Sequence, residues 1–152
     1  MQNELHHCAS RFVSVVQMKR LELGDYLVIA EAITRIPADA LWRIPGLVGR
    51  VESALAAPFA GFGTVEIYRT LPLKAAVLCS RLNRNHPLPD GNKRAAYLSM
   101  LEFIDRNGWR WRPVAPTAER AEAVERLAGG VMTEREFASW IERQVERGAA
   151  NG

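Results

Sequence analysis

The segment that follows Gly91 constrains the fold most, because it reads as a helix with no wide polar face. Its apolar residues are spaced to cover most of a helix's circumference: Ala95, Ala96, Leu98, Met100, Leu101, Phe103 and Ile104. A helix that is apolar nearly all round is buried inside a protein. Asn107-Gly108 predicts its end. The sequence therefore predicts a helical bundle with this helix at its centre.

The other segments also show helical spacing with turn residues between them, so we predict an all-α fold of about six helices. Further helices are predicted over 26–33, between Pro45 and Pro58, from Thr70-Leu-Pro72, from Pro116-Thr117 and from the capping box Thr133-x-x-Glu136. In the third of these, Lys74, Arg81 and Arg84 are expected to face outward, and the last is expected to run to Val145. Residues 59–68 have two glycines and a short alternation, which predicts a loop or a small hairpin.

Length and composition limit the classes of protein. A chain of 152 residues with 48% hydrophobic and 24% charged residues predicts one globular domain. We expect the domain over 21–147, an N-terminal leader over 1–20 and a disordered tail over 148–152. The net charge of +3 permits an anionic ligand without requiring nucleic acid. Two cysteines far apart, Cys8 and Cys79, and no apolar run long enough to span a bilayer predict a cytoplasmic protein.

Six polar or glycine residues lie together in RNHPLPDGNKRAA, residues 84–96, where a turn leads into the buried helix. Gly91, Asn92 and Lys93 are at the helix start, where unpaired N–H groups and the helix dipole attract an anion. Lys93 and Arg94 add positive charge suited to phosphate. Asp90 is a hard oxygen donor for Mg²⁺, and His86 is the side-chain type that accepts a proton near neutral pH.

Each of these residues taken alone has a structural explanation, such as a solvated turn or a helix cap. The complete set, placed before a helix too apolar for the surface, favours a functional site instead. A base, a metal ligand and a phosphate cradle together predict phosphoryl or nucleotidyl transfer.

HPLPDGNKR resembles the HPFx(D/E)GN(G/K)R signature of the Fic/Doc family, and is closest to the Doc-type toxins of toxin–antitoxin pairs. The resemblance extends to VGRVESALAAPFAGFG, to TLPLKAAVLCSRLNRNH and to LEFIDRNGWRW, and covers about residues 21–112. It implies a Fic-fold helical bundle with a small flap. The chain departs from the pattern at Leu88, where Phe is usual and forms a core anchor. Doc proteins also often have Ala where this chain has Gly91.

The resemblance also implies a role for each matching position. His86 matches the general base that deprotonates a hydroxyl of a target protein, and Asp90 matches the Mg²⁺ ligand. Gly91 and Asn92 match the anion hole, and Arg94 matches the Arg that grips the nucleotide phosphates. The loop at 59–68 lies where the family has its target-docking flap.

The implied reaction is transfer of the γ-phosphate of ATP to a bacterial protein, with elongation factor Tu as the implied target. Lys93 favours this reaction, because AMP-transferring Fic proteins usually have Gly there, and Lys matches the Doc proteins that bind the nucleotide reversed. No (S/T)xxxE(G/N) inhibitory pattern occurs in the sequence, so a Phd-type antitoxin is the implied restraint. AMP transfer, and a non-catalytic binding module that keeps only the shell of the site, remain alternatives.

The stretch RNGWRWRP suggests a rival function, since Trp109 and Trp111 alternate with arginines as in some single-stranded nucleic-acid sites. A short extended segment with both Trp side chains directed inward explains the same alternation. The modest net charge favours the extended segment.

Overall fold

The computed structural model describes residues 17–148, so most of the predicted leader and tail lie outside the described residues. Within this range seven α-helices and two small two-stranded antiparallel sheets are present. The elements in order are α1 Leu23–Thr34, α2 Ala38–Trp42, α3 Leu47–Ala56, a 3₁₀ turn Ala57–Phe59, β1 Gly61–Phe62, β2 Val65–Glu66, α4 Leu71–Asn85, α5 Asn92–Arg106, β3 Trp109–Trp111, α6 Thr117–Ala128, α7 Glu134–Glu142 and β4 Val145–Arg147. The prediction of an all-α bundle is confirmed.

Several helix ends follow directly from local residues. The Thr70 hydroxyl accepts a hydrogen bond from the Leu73 N–H at 3.3 Å and caps α4. Thr133 caps α7 in the same way through the Glu136 N–H at 3.1 Å, which confirms the predicted capping box. Helix α5 ends at Arg106 with Asn107 as its C-cap, as predicted. The short helix α2 was not predicted, since Pro37 and Pro45 leave only five helical residues between them.

The core forms mainly between α4 and α5. Helix α5 is buried along one broad face and not nearly all round as predicted, since Leu98 on the opposite face is 40% exposed. Ten of the fifteen residues of α4 are buried, compared with seven of fifteen in α5. The assignment of α5 as the central helix is therefore corrected, because α4 is the more deeply buried of the two and packs on α3, α5 and α7.

Three further expectations about single residues are wrong. Lys74, expected on the surface, is 1% exposed, because its ammonium group is surrounded by acceptors at the base of the small hairpin. Arg81 is only partly exposed, because it forms an ion pair with Glu134. Val145 belongs to strand β4 and not to the last helix, which ends at Glu142.

Strands β3 and β4 pair antiparallel, with Trp111 opposite Val145. The Trp111 ring packs edge-on against Tyr97, with ring centres 6.0 Å apart, and is tilted against the Trp140 ring at 5.9 Å. Trp109 is covered by the guanidinium of Arg147 at 5.1 Å. The extended segment with partly buried Trp side chains is thus confirmed, and both rings have packing partners within the protein.

The segment 59–68, hereafter the flap, contains the predicted hairpin, in which Gly61 pairs with Glu66 and Phe62 with Val65. Its apolar side chains are exposed, with Phe62 at 82%, Val65 at 55% and Ile67 at 49%. Among the described residues of the leader, Lys19 exchanges two hydrogen bonds with the side chain of Asn107. None of the helices in residues 17–148 combines the length and the apolar character that a membrane span needs.

Candidate active site

The turn between α4 and α5 brings the polar cluster together, beginning with His86 at the end of α4. The backbone of His86 is left-handed, with φ 48° and ψ 56°, and its N–H donates to the Leu82 carbonyl at 3.3 Å. A positive φ is uncommon for a residue with a side chain and costs on the order of 1–3 kcal/mol. The imidazole is exposed. The helix end therefore holds the His86 side chain at the surface in a conformation that the surrounding turn maintains.

Asn92 fixes the shape of this turn. Its side-chain Oδ1 accepts from the Leu88 N–H at 2.9 Å, and its Nδ2 donates to the Leu88 carbonyl at 2.8 Å. Both residues are buried, and Leu88 is 2% exposed, so it fills the core position that the resemblance gives to Phe. The side-chain amide of Asn92 is therefore bonded to the loop backbone. The group that Asn92 can offer to a ligand at the helix start is its backbone N–H.

Gly91 precedes α5 with φ +82°, a conformation that disfavours any side chain. A Cβ at this position would also lie 2.6 Å from Ile33 Cγ2. Helix α1 thus approaches the turn closely enough to require glycine. The first N–H groups of α5, which have no partner within the helix, begin directly after this residue.

A cavity of about 320 Å³ opens at the turn. It is lined by Asn83, His86, Pro89, Asp90, Gly91, Asn92 and Lys93. The structure therefore places five of the six sequence-predicted site residues around one cavity. The sixth, Arg94, is exposed and lines a neighbouring cavity together with Lys93.

The neighbouring cavity, of about 380 Å³, lies between α5 and α6 and is mostly apolar. Its lining comprises Lys93, Arg94, Tyr97, Thr117, Arg120, Ala121 and Val124. Lys93 borders both cavities, so a ligand with an anionic part and an apolar part can extend from one to the other.

Lys93 and Glu125 form an ion pair across the gap between α5 and α6. The Lys93 ammonium lies 3.0 Å from Oε1 and 2.9 Å from Oε2 of Glu125. Both side chains are about half exposed, so this pair stabilises the fold little. The pair draws the Lys93 ammonium toward α6.

Asp90 is exposed, and its Oδ1 accepts from the Gly91 N–H at 2.8 Å. Within the described part of the chain no group of three or more His, Cys, Asp or Glu side chains is close enough to hold a metal. A single exposed carboxylate beside a helix N-terminus is compatible with Mg²⁺, which commonly binds through one or two carboxylates and completes its shell with water and substrate phosphates.

Two residues at the site were not found from the sequence. Asn83 lies one turn before His86 on α4, and its Nδ2 donates to the Cys79 carbonyl at 2.8 Å. The spacing of three residues from His86 was a usable signal, since such residues share a helix face. Glu125 gave no local signal, because it is 32 residues from Lys93. Cys79 itself is buried, and burial raises the pKa of its thiol to about 12, which excludes it as a nucleophile.

Comparison with known proteins adds two findings. A family model described as "Fic/DOC family" matches residues 19–104, more than half of the chain. A protein named Toxin Doc, from Mycolicibacterium smegmatis (strain ATCC 700084 / mc(2)155), is 43% identical over 60 residues. That match covers 40% of this chain and 46% of the length of the relative. The chain thus matches about half of the length of this relative.

Proposed function

The chain belongs to the Fic/DOC family, and on this premise we propose that it is a Doc-type toxin that transfers the γ-phosphate of ATP to a hydroxyl of a bacterial protein. One observation carries the proposal. An exposed histidine, a carboxylate, a lysine and a helix N-terminus line a single cavity of about 320 Å³. These are the groups that phosphoryl transfer needs, since its catalysis consists mainly of positioning and charge stabilisation.

In the proposed reaction His86 accepts the proton of the target hydroxyl while the hydroxyl oxygen attacks the γ-phosphorus. The bond between the γ-phosphorus and its bridging oxygen breaks, and ADP leaves with that oxygen. The N–H groups at the start of α5 and the Lys93 and Arg94 side chains stabilise the negative charge on the phosphate oxygens. Asp90 would hold Mg²⁺, which would neutralise charge on the nucleotide phosphates.

The apolar cavity between α5 and α6 suits the nucleoside part of the substrate. It shares Lys93 with the proposed phosphate site, and its apolar lining includes the partly buried ring of Tyr97. Nucleotide sites in proteins commonly combine an apolar pocket with a few polar groups. We therefore assign the adenine ring of ATP to this cavity.

The flap suits a protein target. It is a two-stranded hairpin that pairs with no further strand within residues 17–148, and its exposed side chains include Phe62 and Val65. An exposed edge with apolar side chains is a surface to which an extended peptide can add as a further strand. We infer that the target segment pairs with the flap and brings its hydroxyl to His86, with a translation factor such as elongation factor Tu as the target.

The proposal includes a cytoplasmic location and restraint by a Phd-type antitoxin. The relative named Toxin Doc supports the proposed restraint, because a toxin that modifies proteins of its own cell, as proposed here, needs a neutralising partner. Co-expression with the product of an adjacent small gene should restore growth and give a complex that co-purifies. Growth arrest that persists in the presence of that product, with separate elution of the two proteins, would remove this part of the proposal.

Mass spectrometry of cell extract incubated with the protein and ATP tests the reaction. We expect one bacterial protein to gain the mass of a phosphate at a hydroxyl-bearing residue. The gain of an AMP would instead support AMP transfer by the same residues. No modification of any protein, with ATP bound normally, would support the non-catalytic binding module.

A further inference from the structure

The base of the flap contains a buried lysine. The side chain of Lys74 is 1% exposed, and its ammonium donates to the Pro58 carbonyl at 3.1 Å, to the Tyr68 carbonyl at 2.6 Å and to Glu66 Oε1 at 3.1 Å. An ammonium has three N–H donors, so each has an acceptor. The same ammonium lies 4.8 Å from the centre of the Phe59 ring. Lys74 thus joins the residues at which the flap begins to those at which it ends.

A second side chain of α4 holds the flap at the same end. Arg81 Nη2 donates to the Tyr68 hydroxyl at 3.1 Å. Its Nε donates to Glu134 Oε1 at 3.0 Å, and the Ser80 hydroxyl donates to the same oxygen at 3.1 Å. Glu134 of α7 therefore orients the guanidinium. Tyr68 is consequently held twice from α4, at its carbonyl by Lys74 and at its hydroxyl by Arg81.

Stability alone is a poor reason for this arrangement. A buried charge must be desolvated, and a well-packed apolar side chain in its place is often neutral or stabilising. The network does accomplish something that apolar packing does not, since hydrogen bonds fix the direction of the chain segments that they join.

The same helix, α4, also positions His86, the proposed general base. Lys74 and Arg81 are seven residues apart and lie on one face of α4, and His86 caps the end of that helix. The twelve residues from Lys74 to His86 span about 18 Å at the helical rise. Because α4 is continuous over this length, a flap fixed to Lys74 and Arg81 is fixed relative to His86.

We propose that Lys74 and Arg81 are positioning residues that set the flap relative to His86, so that the target segment paired with the flap presents its hydroxyl to the His86 imidazole. This inference rests on the proposed function of the flap as the target-docking surface. It assigns to α4 two tasks, the support of the flap and the placement of the base, and it makes target recognition depend on residues that never touch the target.

The test compares four variants of the full chain. Lys74→Met removes the ammonium and keeps an apolar stem, and Arg81→Met removes the guanidinium. Tyr68→Phe removes only the hydroxyl that Arg81 contacts. This variant should fold even if Lys74→Met or Arg81→Met does not. Arg84→Met is the matched control, because Arg84 is an exposed arginine of the same helix that lies 3.7 Å from Glu134 and forms no hydrogen bond or ion pair with the flap in the described residues.

Hydrogen exchange of the flap amides reports whether the flap is held. We expect faster exchange over 61–67 in Lys74→Met, Arg81→Met and Tyr68→Phe, and unchanged exchange in Arg84→Met. The kinetics of transfer report whether fixing the flap affects the reaction with the target protein. For the first three variants kcat/KM for the target protein should fall on the order of 10- to 100-fold, as small misplacements do, while the affinity for a non-hydrolysable ATP analogue with Mg²⁺ stays unchanged.

Unchanged exchange in the flap of the folded Lys74→Met or Tyr68→Phe protein would overturn the inference. It would also be overturned if exchange rose and kcat/KM for the target did not fall, or if nucleotide affinity fell in parallel. Absence of any transfer by the unmodified protein would instead count against the proposed function, and the exchange measurements would still decide whether these two residues hold the flap.

Discussion

The side chain of Asn92 closes the turn before α5 by two hydrogen bonds with the backbone of Leu88, at 2.9 and 2.8 Å. Because both residues are buried, water cannot replace these bonds. The amide therefore maintains the turn that separates His86 from the start of α5, and it does so before any ligand binds. Preorganisation of this kind lowers the cost of aligning a base with a bound phosphate.

Asn92→Ala should destabilise the protein, because it leaves the Leu88 N–H and carbonyl buried without partners. The expected cost is about 1–3 kcal/mol of unfolding free energy, measured by urea denaturation. Asn85→Ala is the matched control, because that amide donates a single bond to the Arg50 carbonyl at an exposed site. Its expected cost is within about 0.5 kcal/mol. Equal stability of the two variants would contradict the role given to Asn92.

His86→Ala should abolish transfer and growth arrest while the fold persists. The loss of a positioned base lowers the rate by roughly 10²–10⁴. The fold should persist because His86 is exposed and alanine experiences a similar backbone cost at positive φ. Thermal melting checks the fold, and growth assays with Asn85→Ala as control check toxicity. A His86→Ala protein as toxic as the parent would favour the binding module.

Asp90→Asn separates the charge of this residue from its role in the turn. The amide oxygen can still accept from the Gly91 N–H, as Asp90 Oδ1 does at 2.8 Å, but a neutral amide is a weaker Mg²⁺ ligand. We expect transfer to need a divalent cation and to fall sharply in the variant. Calorimetry should show that Mg²⁺ no longer strengthens the binding of an ATP analogue. Undiminished transfer in excess chelator would exclude the metal role.

Ala121→Phe should weaken ATP binding by filling the apolar cavity between α5 and α6. Ala121 is exposed and lines this cavity, so a larger side chain can enter it without disturbing the core. We expect a higher KM for ATP and an unchanged KM for the target. Ala118→Phe, an exposed substitution on the same helix outside the cavity lining, is the control. An unchanged KM for ATP in Ala121→Phe would show that the adenine ring of ATP does not bind in this cavity.

The sequence was sufficient to predict six of the seven described helices and the turn, because their signals are local. Thr70, Thr133 and Asn107 mark helix ends within a few residues, and the cluster from His86 to Arg94 is continuous in the chain. Contacts between distant segments were not predictable in this way. Lys74 is hydrophilic and was placed on the surface, since nothing near it in the sequence indicates that the carbonyls of Pro58 and Tyr68 converge on it.

The central role of α5 was overestimated for a related reason. An all-round apolar pattern indicates burial but cannot rank one helix above another, and α4 is buried partly through Lys74, Ser80 and other residues that the hydrophobic pattern omits. Similarly, the pairing of Lys93 with Glu125 of α6 depends on how α5 and α6 pack, and the sequence of either helix alone does not predict that packing.

The origin of the transferred group tests the central claim most directly. Lys93 borders both the cavity at the turn and the apolar cavity and pairs with Glu125, and we expect its charge to orient the nucleotide with the γ-phosphorus next to His86. The reacting phosphorus must lie within about 3–3.5 Å of the attacking oxygen, so orientation decides which bond breaks. The measurement is the label acquired by the target protein from ATP labelled at either the γ- or the α-phosphate. We predict label from γ-labelled ATP alone, whereas label from the α position would contradict the kinase assignment and establish AMP transfer.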